Sequence, residues 1–160
     1  MKGPAMHSSH RLALVIGSGG VRSVAALGVA GWLEQQGLQP DLVVGCSGGA
    51  MFGAALAAGH GVAHAVELAT TLWTQELTRR RRWLAPLQLL MPRRFGFDAD
   101  FALRDDRAIV ERLRAAFGNA RIERLPIRLR ITATCPASGQ RVVIDRGSLV
   151  DALRASIAMP

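Results

Sequence analysis

An α/β domain with a largely parallel sheet between two helical layers, a three-layer α/β/α arrangement, is the fold class this sequence predicts. Two short apolar runs, Leu12 to Ile16 and Leu42 to Val44, each break into a glycine-rich turn followed by residues at helical spacing, which is the signature of strand, turn and helix in repetition. The chain's 160 residues, 49% hydrophobic and 20% charged, suffice for one domain with a real core and are too few for two ordinary ones. Neither an internal repeat nor a low-complexity linker interrupts it.

Residues 1–11 read as a flexible, polar tail, and the domain proper spans 12–160. The first run opens into Gly17-Ser18-Gly19-Gly20, after which Val21 to Gln36 has helical spacing and Gly37 closes the helix. Pro40-Asp41 leads into the second run, which ends at Gly45-Cys46-Ser47-Gly48-Gly49. From Met51 to Leu77 two helical segments are separated by Gly59-His60-Gly61. The texture then changes to a basic, apolar, basic insert: Arg79 to Arg82, Trp83, Leu84 to Met91, and Arg93-Arg94. Helical periodicity resumes over Asp105 to Phe117, and strands are predicted at Ile127 to Ala133 and Arg141 to Ile144 around a turn at Pro136 to Gly139. A last helix starts near Ser148, where Asp151 three residues on gives a capping-box-like start.

Composition narrows the function classes. The formal net charge of +8 hints at anionic partners, but Lys2 is the only lysine and such an arginine bias also follows from base composition. No motif or aromatic ladder supports nucleic-acid binding, and none is expected. Two cysteines, Cys46 and Cys135, make no disulfide framework, and Met1 to His10 lacks the apolar core of a secretory signal, so a cytoplasmic setting is expected. Leu42 to Val66 contains no Asp, Glu, Lys or Arg, yet its six glycines suit a central strand, a tight turn and a buried helix rather than a membrane span.

The chemistry centres on Ser47. A serine hydroxyl directly after an apolar strand, flanked by Gly45, Gly48 and Gly49, fits a nucleophile on a sharp strand-to-helix turn. Gly45 and Gly49 leave the backbone room to pass close to itself, and Gly48 can offer an unobstructed N–H just past the nucleophile. The loop at Gly17 to Gly20 points its N–H groups at one spot that wants an anion. A dinucleotide fingerprint fails because residue 22 is arginine, and a phosphate loop fails because no lysine follows, which leaves an oxyanion or a turn needed only for packing. A cation at Arg22, in the first turn of a helix, opposes the helix dipole, so it is expected to have a specific partner. No histidine follows at the distance an α/β-hydrolase triad needs, and His60 and His64 have neither a third ligand nor a metalloprotease motif beside them. No metal or organic cofactor is expected, and a carboxylate is left to serve as base.

The chain resembles the patatin-like phospholipases, serine lipid acyl hydrolases with a Ser-Asp dyad, from Leu12 to Pro160. The resemblance rests on Ser18-Gly19-Gly20-Val21-Arg22, on Pro40 to Ala50 with its serine turn, and on Ala152 to Pro160. It implies Ser47 as the acyl-accepting nucleophile, oxyanion N–H groups at Gly19, Gly20 and Val21, Arg22 as the loop's basic residue, and a lipid or acyl-ester substrate. Ser18 and Ser23 stand where the family's loop usually has glycines. The family's base belongs to an Asp-Gly motif downstream of the Ala-Ser segment, and no aspartate in this sequence precedes a glycine. The 160 residues are therefore expected to form the N-terminal part of a catalytic domain, with weak turnover on their own and an uncovered sheet edge and apolar face. Arg80, Arg81, Arg82 and Trp83 are candidates for peripheral contact with an anionic membrane at its inner face, the bland alternative being a lid or packing loop. From a different class, the rival is a catalytically incomplete chain that binds a membrane or a partner protein.

Overall fold

A computed structural model describes residues 11–72 and 107–158. The insert, with Arg80, Arg81, Arg82 and Trp83, and the tail as far as His10 lie outside the described residues. Four strands form one sheet in sequence order: β1 (Ala13–Ile16), β2 (Leu42–Cys46), β3 (Arg128–Thr134) and β4 (Arg141–Ile144). β1 and β3 both run parallel to β2, whereas β4 returns antiparallel to β3 through the Cys135 to Gln140 turn. The helices are α1 (Ala25–Gln35), α2 (Gly48–Ala57), α3 (Gly61–Leu72), α4 (Arg107–Phe117) and α5 (Leu149–Ile157).

The strands alternate as half-buried strands must. Ile16, Val43, Leu129 and Ile131 point into the core, while Val15, 71% exposed, and Val143, 48% exposed, point away from it. α2 lies under the middle of the sheet, touching β1, β2 and β3 as well as α1, α3 and α5, and all ten of its residues are buried. A helix in that position must be apolar all round, which accounts for the charge-free stretch from Leu42 to Val66. No described helix is long and apolar enough to cross a membrane.

The described helices form one connected layer, α1 on α3, α3 on α4 and α4 on α5. Strand order explains this: β1 to β2 and β2 to β3 step in the same direction, so right-handed crossovers lay their helices on the same face. The expected α/β class with a largely parallel sheet is what the structure shows, and the described residues supply the sheet and one of its helical layers. One difference concerns the helix after β1, which begins as a 3-10 turn at Gly20–Val24 because Gly20, at φ 56°, bends the chain before α1 can start. β2 reaches Cys46, past the expected end at Val44, because pairing with β3 continues through Gly45↔Ile131 and Cys46↔Thr132. The last helix starts as expected, with the Ser148 hydroxyl accepting a hydrogen bond from the Asp151 N–H at 3.3 Å.

Candidate active site

Three connections meet at the carboxyl end of the parallel strands, where α/β sheets place their ligands: the glycine loop after β1, the serine turn after β2, and the Cys135 to Gln140 turn after β3. Ser47 joins β2 to α2 at φ 54° and ψ −123°, and among the described residues no other non-glycine residue has positive φ. Such a conformation costs about 1–3 kcal/mol and persists only where the surroundings over-determine it. The Ser47 residue is partly exposed, while Gly48 to Ala57 beyond it are buried.

The flanking glycines do the constraining. A Cβ on Gly45 would overlap the Ala50 backbone, 2.8 Å from its nitrogen, so the last turn of β2 can fold against the start of α2 only without one. At Gly48 a Cβ would stand 2.5 Å from the Gly20 oxygen and 2.9 Å from its Cα, and at Gly49 it would stand 2.5 Å from the Gly17 oxygen. Gly48 and Gly49 therefore press directly on the glycine loop, and this contact brings the expected oxyanion residues to the serine turn. The loop is braced from within as well. The Ser23 hydroxyl, buried, donates to the Gly17 carbonyl at 3.0 Å, and the Arg22 N–H donates to the Gly19 carbonyl at 3.1 Å. Ser23 thus ties the loop from within, a role its position in the motif did not announce.

The backbone N–H groups of Gly19, Gly20, Val21 and Gly48 have no acceptor among the described residues. Fixed donors left open at the mouth of a strand-to-helix turn can stabilise a developing oxyanion. Arg22 lies exposed in the single 3-10 turn that follows the loop, and among the described residues its guanidinium makes no hydrogen bond or ion pair. It borders a concavity of about 400 Å³ lined also by Val15 to Gly19, Ser23 and Ala26. Another of similar volume, lined by Arg11, Asp41, Ile122, Arg128 and Asp145 among others, lies at the strand starts, the wrong end of the sheet for Ser47.

Other titratable groups are remote from the reaction or serve the fold. Asp41 accepts from the Leu12 N–H at 2.8 Å and so joins the starts of β1 and β2. Asp145 pairs with Arg146. The His60 and His64 rings meet edge to face at 5.1 Å, and no group of potential metal ligands forms among the described residues. In the turn after β3, the Ser138 hydroxyl and then the Ser138 and Ala137 N–H groups draw the Cys135 thiol below its usual range. Sequence reasoning had no role for Ser156, in α5. Its hydroxyl accepts from the Ser47 N–H at 2.8 Å and donates to the Thr132 carbonyl at 2.7 Å. A lone hydroxyl near the end of an amphipathic helix was the available signal.

Similarity to known proteins agrees with this geometry. Uncharacterized NTE family proteins of Mycobacterium bovis and Mycobacterium tuberculosis are 37% identical to the chain over 155 residues, covering 96% of it. The chain spans 39% of the length of these relatives. Among solved structures, ExoU of the Pseudomonas aeruginosa type III secretion system, crystallised with SpcU, superposes with a TM-score of 0.59 at 20% identity, over 94% of this chain and 38% of that one. A second ExoU structure gives 0.51 at 18% identity, again over 94% of this chain and 39% of the other. These neighbours share the fold, and the family model named Patatin-like phospholipase matches residues 14–160. Strand order, serine turn and sequence similarity converge, and the chain belongs to the patatin-like phospholipase family.

Proposed function

We propose that Ser47 is the nucleophile of a lipid acyl hydrolase of phospholipase A or esterase type, with the Gly19, Gly20 and Val21 N–H groups, aided by Gly48, as its oxyanion donors. The observation that carries this reading is the strained Ser47 backbone held in contact with a loop of open N–H donors. Ser47 Oγ attacks the ester carbonyl carbon and gives its proton to a general base, and the carbonyl electrons move to the oxygen facing the donors. Collapse expels the alcohol, which takes the proton, and water then cleaves the acyl-serine by the same route.

The base of the family's Ser-Asp dyad is not carried to any aspartate seen here. Asp41 lies at the far end of the sheet, Asp145 is paired with Arg146, and Asp151 sits in the first turn of α5. Arg80, Arg81, Arg82 and Trp83 remain the proposed contact with an anionic membrane, a reading that rests on their sequence pattern.

A fluorophosphonate probe tests the nucleophile without needing full turnover. The expected result is one label mapped by peptide mass spectrometry to Ser47, absent in Ser47→Ala. Equal labelling of both proteins, or a label elsewhere, would leave the rival reading of a binding module.

A further inference from the structure

Ser47 is held from both sides by one residue of the neighbouring strand. The Thr132 side chain donates to the Gly45 carbonyl at 3.3 Å, on the strand side of the turn. The Thr132 carbonyl accepts from Ser156 Oγ at 2.7 Å, and Ser156 Oγ accepts in turn from the Ser47 N–H at 2.8 Å. The result is a bracket that starts at Gly45, passes through β3 and α5, and closes on the nucleophile itself.

Its chemistry is directional. A serine hydroxyl has one proton to give, and here that proton goes to the Thr132 carbonyl, so the oxygen can present only lone pairs to Ser47. The Ser47 N–H is thereby committed to structure, and the oxyanion is left to the loop donors and Gly48. The bracket also resists relaxation of the turn: returning φ from 54° to the ordinary negative range would swing the Ser47 N–H plane away from Ser156 and leave a partly buried N–H and hydroxyl unmatched. Residues 47 and 156 are 109 positions apart, so the contact exists only when α5 is docked on β3 and α2.

We propose that Ser156, oriented by Thr132, is a positioning residue that locks the Ser47 backbone in its attacking conformation. The inference rests on Ser47 being the nucleophile. Removal of the hydroxyl in Ser156→Ala should let the turn relax and slow fluorophosphonate labelling of Ser47 on the order of 10–100-fold, with the chain still folded by circular dichroism. Ser156→Thr retains a hydroxyl at the same atom and should recover most of the rate, which a general loss of packing would not do.

Amide hydrogen exchange read by NMR supplies a measurement independent of reactivity. The Ser47 amide should be protected in the wild type and in Ser156→Thr, and exposed in Ser156→Ala. Labelling of Ser156→Ala at the wild-type rate, or an unprotected Ser47 amide in the wild type, overturns the proposal. A wild type whose Ser47 amide is protected but whose serine takes no label instead overturns the reading of Ser47 as nucleophile, and with it the positioning role.

Discussion

Gly48 and Gly28 pose the same substitution in opposite surroundings. A methyl at Gly48 would meet the Gly20 carbonyl oxygen at 2.5 Å, and since that neighbour is backbone, the loop must move. We expect Gly48→Ala to cost about 1–3 kcal/mol by overpacking and to slow labelling of Ser47 by roughly 10²-fold through displaced donors. Gly28, exposed within α1, would place a methyl in open space, and Gly28→Ala should stabilise the chain by about 0.5–1 kcal/mol through helix propensity. Urea unfolding midpoints and probe kinetics on the two variants check both expectations. The pentapeptide around Ser47 was legible in the sequence because its demands are local: small residues, an adjacent strand, a following helix. Ser156 and Ser23 were not, because their partners are tertiary, and nothing in a linear pattern says that α5 will deliver a hydroxyl to residue 47.

Between elements, an antiparallel bridge of Arg121 with Ser148 stitches the start of α5 to the segment before β3, and a carboxylate reinforces it. The 3-10 turn Ile122–Arg124 presents Glu123, whose carboxylate accepts from the Gly147 N–H at 2.8 Å and from Arg121 Nε at 2.7 Å. Its own backbone N–H, then Arg121, then Gly147 hold its pKa down to about 2 from an ordinary 4.5. A depressed carboxylate stabilises the fold at pH above its unfolded value and loses that contribution as pH falls through the folded one. Wild-type stability is therefore expected to decline as pH drops from 4.5 towards 2, and Glu123→Gln should lower stability near neutral pH while flattening that decline. Urea titrations of the two proteins across this range decide it; parallel curves would remove Glu123 from the stitch. The effect is modest, since the carboxylate is in contact with solvent. Helix and strand positions were readable from periodicity, and the ends that moved did so for pairing or turn reasons: β2 extended along β3, and the helix after β1 gave up its first turn to the bend at Gly20.

For the whole molecule, the direction of the crossovers matters more than any single contact. Three parallel strands laid down in one direction place every described helix on one face, so a sheet that reads in sequence as doubly covered has one covered face among the described residues. Local patterns specify strands and helices, but the number of layers depends on whether the strand order reverses, and no periodicity reports that. The two faces should consequently respond very differently to substitution. Leu129, on β3 against α2 and Gly53, is buried, and Leu129→Ala should cost about 2–5 kcal/mol. Val15, in the neighbouring region of β1 but pointing outward, is 71% exposed, and Val15→Thr should stay within about 0.5 kcal/mol while keeping a β-branched side chain in the strand. Urea midpoints at matched slope measure the contrast. A large loss at Val15 would mean that the outer face is packed in the folded protein and that the exposed valines, with Val143 beside Thr132 on the same face, form part of a second core.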